Sequence, residues 1–239
     1  MDQPINYALK NPTTITKMAR GMLYLGIVIG ILSLISGVLE YQLLSDFKNG
    51  IYTNEAQIMA AATRNDTRQW IIALINAIGF FVSVIIILMW TFRMNNNAHA
   101  LGAADMEFTP GGSIGWYFIP VAYLWKPYQA MKELWMASKS HSAWKNNSTP
   151  SILPLWWFIW LISIPVQFMS SKLLDKAETI NEIITVNIIS LVSDLLNISL
   201  CLAFLYIVTK INEMQTSLYS TSVGQVKGEH QIQSNDRQT

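Results

Sequence analysis

A serine set among glycines, Gly111-Gly112-Ser113-Ile114-Gly115, has the G-x-S-x-G spacing that in hydrolases puts a nucleophilic hydroxyl on a strained strand-to-helix elbow. His99 and His141 are the candidate bases. No strand precedes Ser113, however, and Pro110 opens a turn, so the match reads as incidental, Ser113 as a helix N-cap, and the chain as no enzyme. Three histidines and one cysteine, without HExxH or CxxC spacing, provide no metal shell. No glycine-rich phosphate loop appears either, so no cofactor is expected. A second group with chemical potential is Asn76, Asp194 and Asn197. Asp194 and Asn197 are three apart on one helical face, and Asn76 lies at a similar depth in an earlier apolar run. An unpaired carboxylate in hydrocarbon costs a few kcal/mol. The cluster is therefore expected to act either as an interhelical polar clamp or as a site for a proton, cation or polar ligand.

The elements that position these residues come from apolar clustering. Apolar residues make up 51% of the 239, and charged residues only 13%. They concentrate in runs at 22–39, 71–92, 152–169 and 184–208, each near the roughly 20 residues needed to cross about 30 Å of hydrocarbon. The expected fold is an all-α integral membrane protein with four transmembrane helices near 22–44, 70–92, 152–171 and 184–209. A polar segment, 1–21, precedes this 22–209 membrane domain, and the first run should stay attached as a signal anchor. The tail, 210–239, is rich in Gln, Ser, Thr and Gly and is expected to be disordered. A net charge of +1 gives no reason to expect nucleic acid, and the single cysteine, Cys201, excludes a disulfide framework.

Four spans place 11 of the 16 lysines and arginines on the side of the two termini, against Lys48, Arg64, Arg68, Lys172 and Lys176 on the other. The positive-inside tendency puts both termini and the central segment in the cytoplasm. The apolar stretch 111–125 complicates this, because as a helix it would cover only about 22 Å and Pro120 would kink it. A re-entrant or interfacial segment over 109–138 is the preferred reading. A fifth span would split the basic residues 10 to 6 instead. After Pro127 the pattern is amphipathic. Tyr128, Met131, Leu134 and Trp135, with Lys132 and Lys139, form a candidate surface for lipid or a protein partner, unless that face packs on the ends of the spans.

The order ALG, FTPG, GWYFIP and LWKPYQAMKELWMAS between 97 and 138 resembles the signature of the bacterial domain of unknown function 4328 family, small multi-span membrane proteins. The shared residues are Asn97, Leu101-Gly102, Pro110-Gly111, Gly115-Trp116, Phe118, Pro120, Trp125, Pro127 to Met131, Glu133 to Trp135 and Ala137-Ser138. The chain departs at Gly112-Ser113, where the family more usually has Trp and a small apolar residue. The resemblance implies a bacterial inner membrane location and offers no catalytic residues to carry over. The expected function is a non-enzymatic membrane module binding lipid, a membrane-protein partner or its own copy through the cytoplasmic hairpin. A small transporter or channel using Asn76, Asp194 and Asn197 is the alternative.

Overall fold

The computed structural model describes the backbone of residues 7–140 and 142–236, and the side chains through residue 221. Six helices are present among the described residues: α1 (Thr13–Lys48), α2 (Glu55–Ala100), α3 (Pro110–Gly115), α4 (Lys126–Lys139), α5 (Ile152–Leu174) and α6 (Ile180–Asp236). Short 3-10 turns cover Trp116–Phe118, Ala122–Leu124 and Trp144–Asn146. Helices α1, α2, α5 and α6 are long and apolar enough to cross a membrane, as the four runs predict.

The long helices outlast their apolar runs because local polar groups set their ends. Asn54 Oδ1 accepts from the Ala56 N–H at 2.8 Å and caps the start of α2. Thr179 and Glu182 form a capping box at the start of α6, where Glu182 Oε2 accepts from the N–H groups of Glu178 and Thr179. Two glycines stop α1 and α2. Gly50 (φ 68°) and Gly102 (φ 94°) adopt the left-handed conformation, and the N–H groups of Ile51 and Ala103 reach back to Asp46 and Ala98 in Schellman motifs. Helix α6 continues past its apolar run, where Ile211 and Gln215 are buried and tertiary contact holds it.

The chain forms two compact units. The first comprises Gly21–Val84 and Pro154–Leu205. Here α1 runs antiparallel to both α2 and α6, and glycines on α1 allow the close approach to α6. A Cβ on Gly30 would fall 2.7 Å from Ile198 Cγ1, and one on Gly26 would fall 3.2 Å from Cys201 Sγ. Helix α5 joins α6 through Ser170 and Ser190, whose hydroxyls are 3.0 Å apart, and through the stacked rings of Trp156 and Phe204. On α2, Ile78, Phe80 and Phe81 are all more than half exposed, an apolar face suited to lipid and not to water.

The second unit comprises Met1–Arg20, Ile85–Leu153 and Tyr206–Thr239. Its interior contains Trp90, Met94, Met131, Leu134, Ile207, Val208 and Ile211. Polar pins join its segments. Trp90 Nε1 donates to Thr16 Oγ1, and Gln215 Nε2 donates to both Met94 O and Ser138 Oγ. Asn97 takes the Lys10 N–H with Oδ1 and gives Nδ2 to the Lys10 carbonyl.

The tight α1–α6 contact gives a direct test. Gly30→Val should destabilise the protein by about 1–3 kcal/mol, the usual cost of overpacking. Adding Ile198→Ala should recover most of that loss in a thermal or denaturant titration, and failure of the second change to rescue would place the close approach elsewhere.

Candidate functional site

The polar network of the first unit is centred on Glu40, near the end of α1. Its Oε1 accepts from Asn65 Nδ2 at 3.1 Å; its Oε2 accepts from Gln69 Nε2 at 2.9 Å and from Asn187 Nδ2 at 2.8 Å. Arg68 joins through Asn65 Oδ1 at 2.5 Å, and its Nε donates to Ser36 Oγ at 3.0 Å. Asn65, Arg68 and Gln69 share one face of α2 because they are three and four residues apart. Three amide donors satisfy the carboxylate and Arg68 braces the Asn65 amide, so its chemistry is that of a clamp between α1, α2 and α6.

The residues expected to form the intramembrane cluster are arranged differently. Asn76 Nδ2 donates to Ser33 Oγ at 2.8 Å and to its own helix at Ile72 O. Asp194 is half-buried and makes no hydrogen bond among the described residues, while Asn197 is exposed. Asn187, nearly three turns earlier on α6, is the amide that faces α1. The stripe of α6 against α1 shows why: Asn187, Leu191, Ile198 and Cys201 meet Gly37, Gly30 and Gly26, and Asn197 lies one residue off it.

Ser113 is 1% exposed and its Oγ donates to the Pro110 carbonyl at 2.8 Å. Thr109, not Ser113, caps α3, accepting the Gly112 N–H at 3.0 Å. His99 Nε2 lies 3.0 Å from the Phe108 carbonyl, and His141 falls outside the described residues. Among the described residues, no three His, Cys, Asp or Glu side chains gather as a metal would require.

The segment 107–125 has a pinned base and an open tip. At the base, the Phe108 N–H donates to Glu133 Oε1 at 3.3 Å, and its carbonyl meets His99. Lys126 Nζ pairs with Glu107 at 2.7 Å and sits over the Phe108 and Trp116 rings. At the tip, Phe118 is 70% exposed and Val121 62%, with Ile119, Leu124 and Trp125 also open. Val121 has φ 67° and ψ −49°, and the Ala122 N–H donates to the Pro120 carbonyl at 2.8 Å. This is a γ-turn of the rare positive-φ hand on a β-branched residue, a strain of order 1–3 kcal/mol.

Helix α4 takes the second of the two coverings left open for its apolar face. Met131 and Leu134 are 1% exposed and Trp135 is 7% exposed, so its apolar face is covered by protein; Tyr128 is half-buried, and Lys132 and Lys139 point outward. Amphipathic spacing gives the apolar face but not what covers it. Glu133 was missed because it reads as part of the polar face, yet it is only 6% exposed. Burial raises its carboxyl from 4.5 to about 7, with Glu107 adding to the rise and the Phe108 N–H and Lys145 opposing it.

A family model described as a domain of unknown function, DUF4328, matches residues 54–213. That is more than half of the 239 residues, and the chain belongs to this family. No curated protein and no solved structure matches it.

Two tests follow from this geometry. Asn187→Leu removes one donor from Glu40 and should cost roughly 0.6–1.7 kcal/mol, whereas Asn197→Leu should be nearly silent; equal losses would contradict the Glu40 clamp. The Glu133 carboxyl is raised on folding, so its contribution is fully present below 4.5 and lost as pH rises through about 7. Glu133→Gln should therefore be more stable than wild type near pH ~8, by on the order of 2–3 kcal/mol, and should lose the wild type's decline between about pH 5 and 8. Parallel pH profiles in thermal unfolding would remove Glu133 as the cause.

Proposed function

We propose that this family member is a non-enzymatic module of the bacterial inner membrane that binds lipid through the tip of its cytoplasmic hairpin. The observation that carries this reading is the open apolar run Phe118, Ile119, Pro120 and Val121, continued by Leu124 and Trp125, in a chain with four helices apolar enough to span a membrane. Such a patch is costly in water, and each large side chain moved into hydrocarbon contributes about 1.5–3 kcal/mol. The base is fixed by Glu133, His99, Lys126 and the Thr109 cap, so the tip is presented as a preformed element. Lys132 and Lys139 leave cationic side chains on the solvent face of α4, where anionic headgroups add about 1 kcal/mol per charge near the surface. Both termini lie in the cytoplasm in this arrangement, consistent with the distribution of basic residues. Insertion of the tip without crossing makes 109–125 the re-entrant part; α4 serves as its buried buttress. The pairing of Asn76 with Ser33 and the saturated Glu40 carboxylate favour structural clamping over the transport alternative.

The test uses the full-length protein in nanodiscs containing anionic lipid, with Cys201→Ser and an environment-sensitive label at Phe118→Cys or, as control, Lys132→Cys. The label at 118 should be quenched by lipids carrying a quencher in the acyl chain and shielded from iodide, with the reverse at 132. Ile119→Asp should abolish the shielding. An iodide-accessible label at 118 sinks the lipid reading; shielding without lipid quenching transfers the tip to a protein partner or a second copy.

A further inference from the structure

We propose that the hairpin tip is spring-loaded, the γ-turn at Val121 converting to a single helical turn over residues 120–125 when the tip enters the bilayer. This rests on the lipid-binding reading and adds a conformational step to it. A β-branched residue at φ 67° persists in a folded protein when neighbours enforce the conformation. Val121 has little to enforce it, being 62% exposed with exposed Pro120 before it. The strain is therefore held by the fixed ends, Thr109 with α3 on one side and Lys126 with α4 on the other.

The path to relief is already half built. The Tyr123 N–H donates to the Ile119 carbonyl at 3.0 Å, an α-helical spacing that straddles Val121, and the 3-10 turn Ala122–Leu124 follows at once. Rotating Val121 into the right-handed region breaks the Ala122-to-Pro120 bond and lets the Leu124 N–H move from the Val121 carbonyl, which it meets at 3.1 Å, to the Pro120 carbonyl. Pro120 then occupies the first helical position, where its lack of an N–H carries no penalty. Pro127 bounds the new turn on its other side. In this form Val121, Leu124 and Trp125 lie on one face, three and four residues apart. Hydrocarbon drives the change because backbone groups there must be paired internally. In water the exposed form places no such demand.

The experiment compares amide hydrogen exchange across 116–125 in the full-length protein, held either in amphipol or in nanodiscs with anionic lipid, alongside the label at 118. Wild type should show at least tenfold slower exchange for residues 121–125 in nanodiscs. Val121→Gly, which accepts positive φ without strain, should lose most of that difference while its label at 118 still reports insertion. Val121→Ala, which favours the helix, should keep it. Tip insertion with unchanged wild-type exchange, or with Gly and wild type alike, overturns the spring alone. Absence of insertion overturns the lipid reading and the spring with it.

Discussion

The Glu40 carboxylate lies among apolar helices, where its oxygens must be met by other side chains, and that requirement arranges the first unit. Asn65 and Gln69 must face α1 from α2, and Asn187 must face it from α6. With those three contacts made, the pairing of Asn76 with Ser33 along the same helical pair is set, because the helices are rigid at 1.5 Å per residue. The glycine positions on α1 answer the same constraint on the α6 side, where close approach keeps a short asparagine within reach of the carboxylate.

In the second unit the organising groups are amides that grip backbone. Asn97 holds the Lys10 peptide unit, Gln215 holds the Met94 carbonyl, and Asn147 donates to the Met136 carbonyl. Tyr7 stacks on His99, whose ring nitrogen meets the Phe108 carbonyl, so α2 connects the N-terminal lead to the base of the 107–125 segment. The strained tip is thereby supported by a base whose backbone is held on both faces, and the apolar side of α4 is consumed in building that support.

The four long helices were legible because apolar runs of spanning length have few other solutions. Their extensions were not, since residues 93–100 and the first half of α2 are polar and owe their helicity to Asn54, Gly102 and tertiary contact. Glu40 directly follows the 22–39 apolar run, a position that by itself names no partner. The spacing of Asn65, Arg68 and Gln69 was the available signal, and it becomes meaningful once the turn after Lys48 fixes which part of α2 returns beside Glu40. Asn187 lay outside the expected trio because a helix bathed in lipid is apolar all the way round, so its own side chains do not say which face meets protein; small residues on the partner helix carry that information. In α4 the apolar side is covered by protein, one of the two coverings its spacing leaves open, for lipid and protein select the same side chains.

The grip of Asn97 on Lys10 has an evolutionary side. Both bonds go to main-chain atoms of Lys10, so the lead is recognised there by its backbone and not by its lysine. Sequence drift there should be free except for proline, which lacks the N–H that Oδ1 accepts. At position 97 the freedom vanishes, since an aspartate cannot donate to the carbonyl and a hydrophobic residue can do neither. One amide thus shifts the burden of specificity from a variable segment to a single site on α2, and leaves the segment open to divergence.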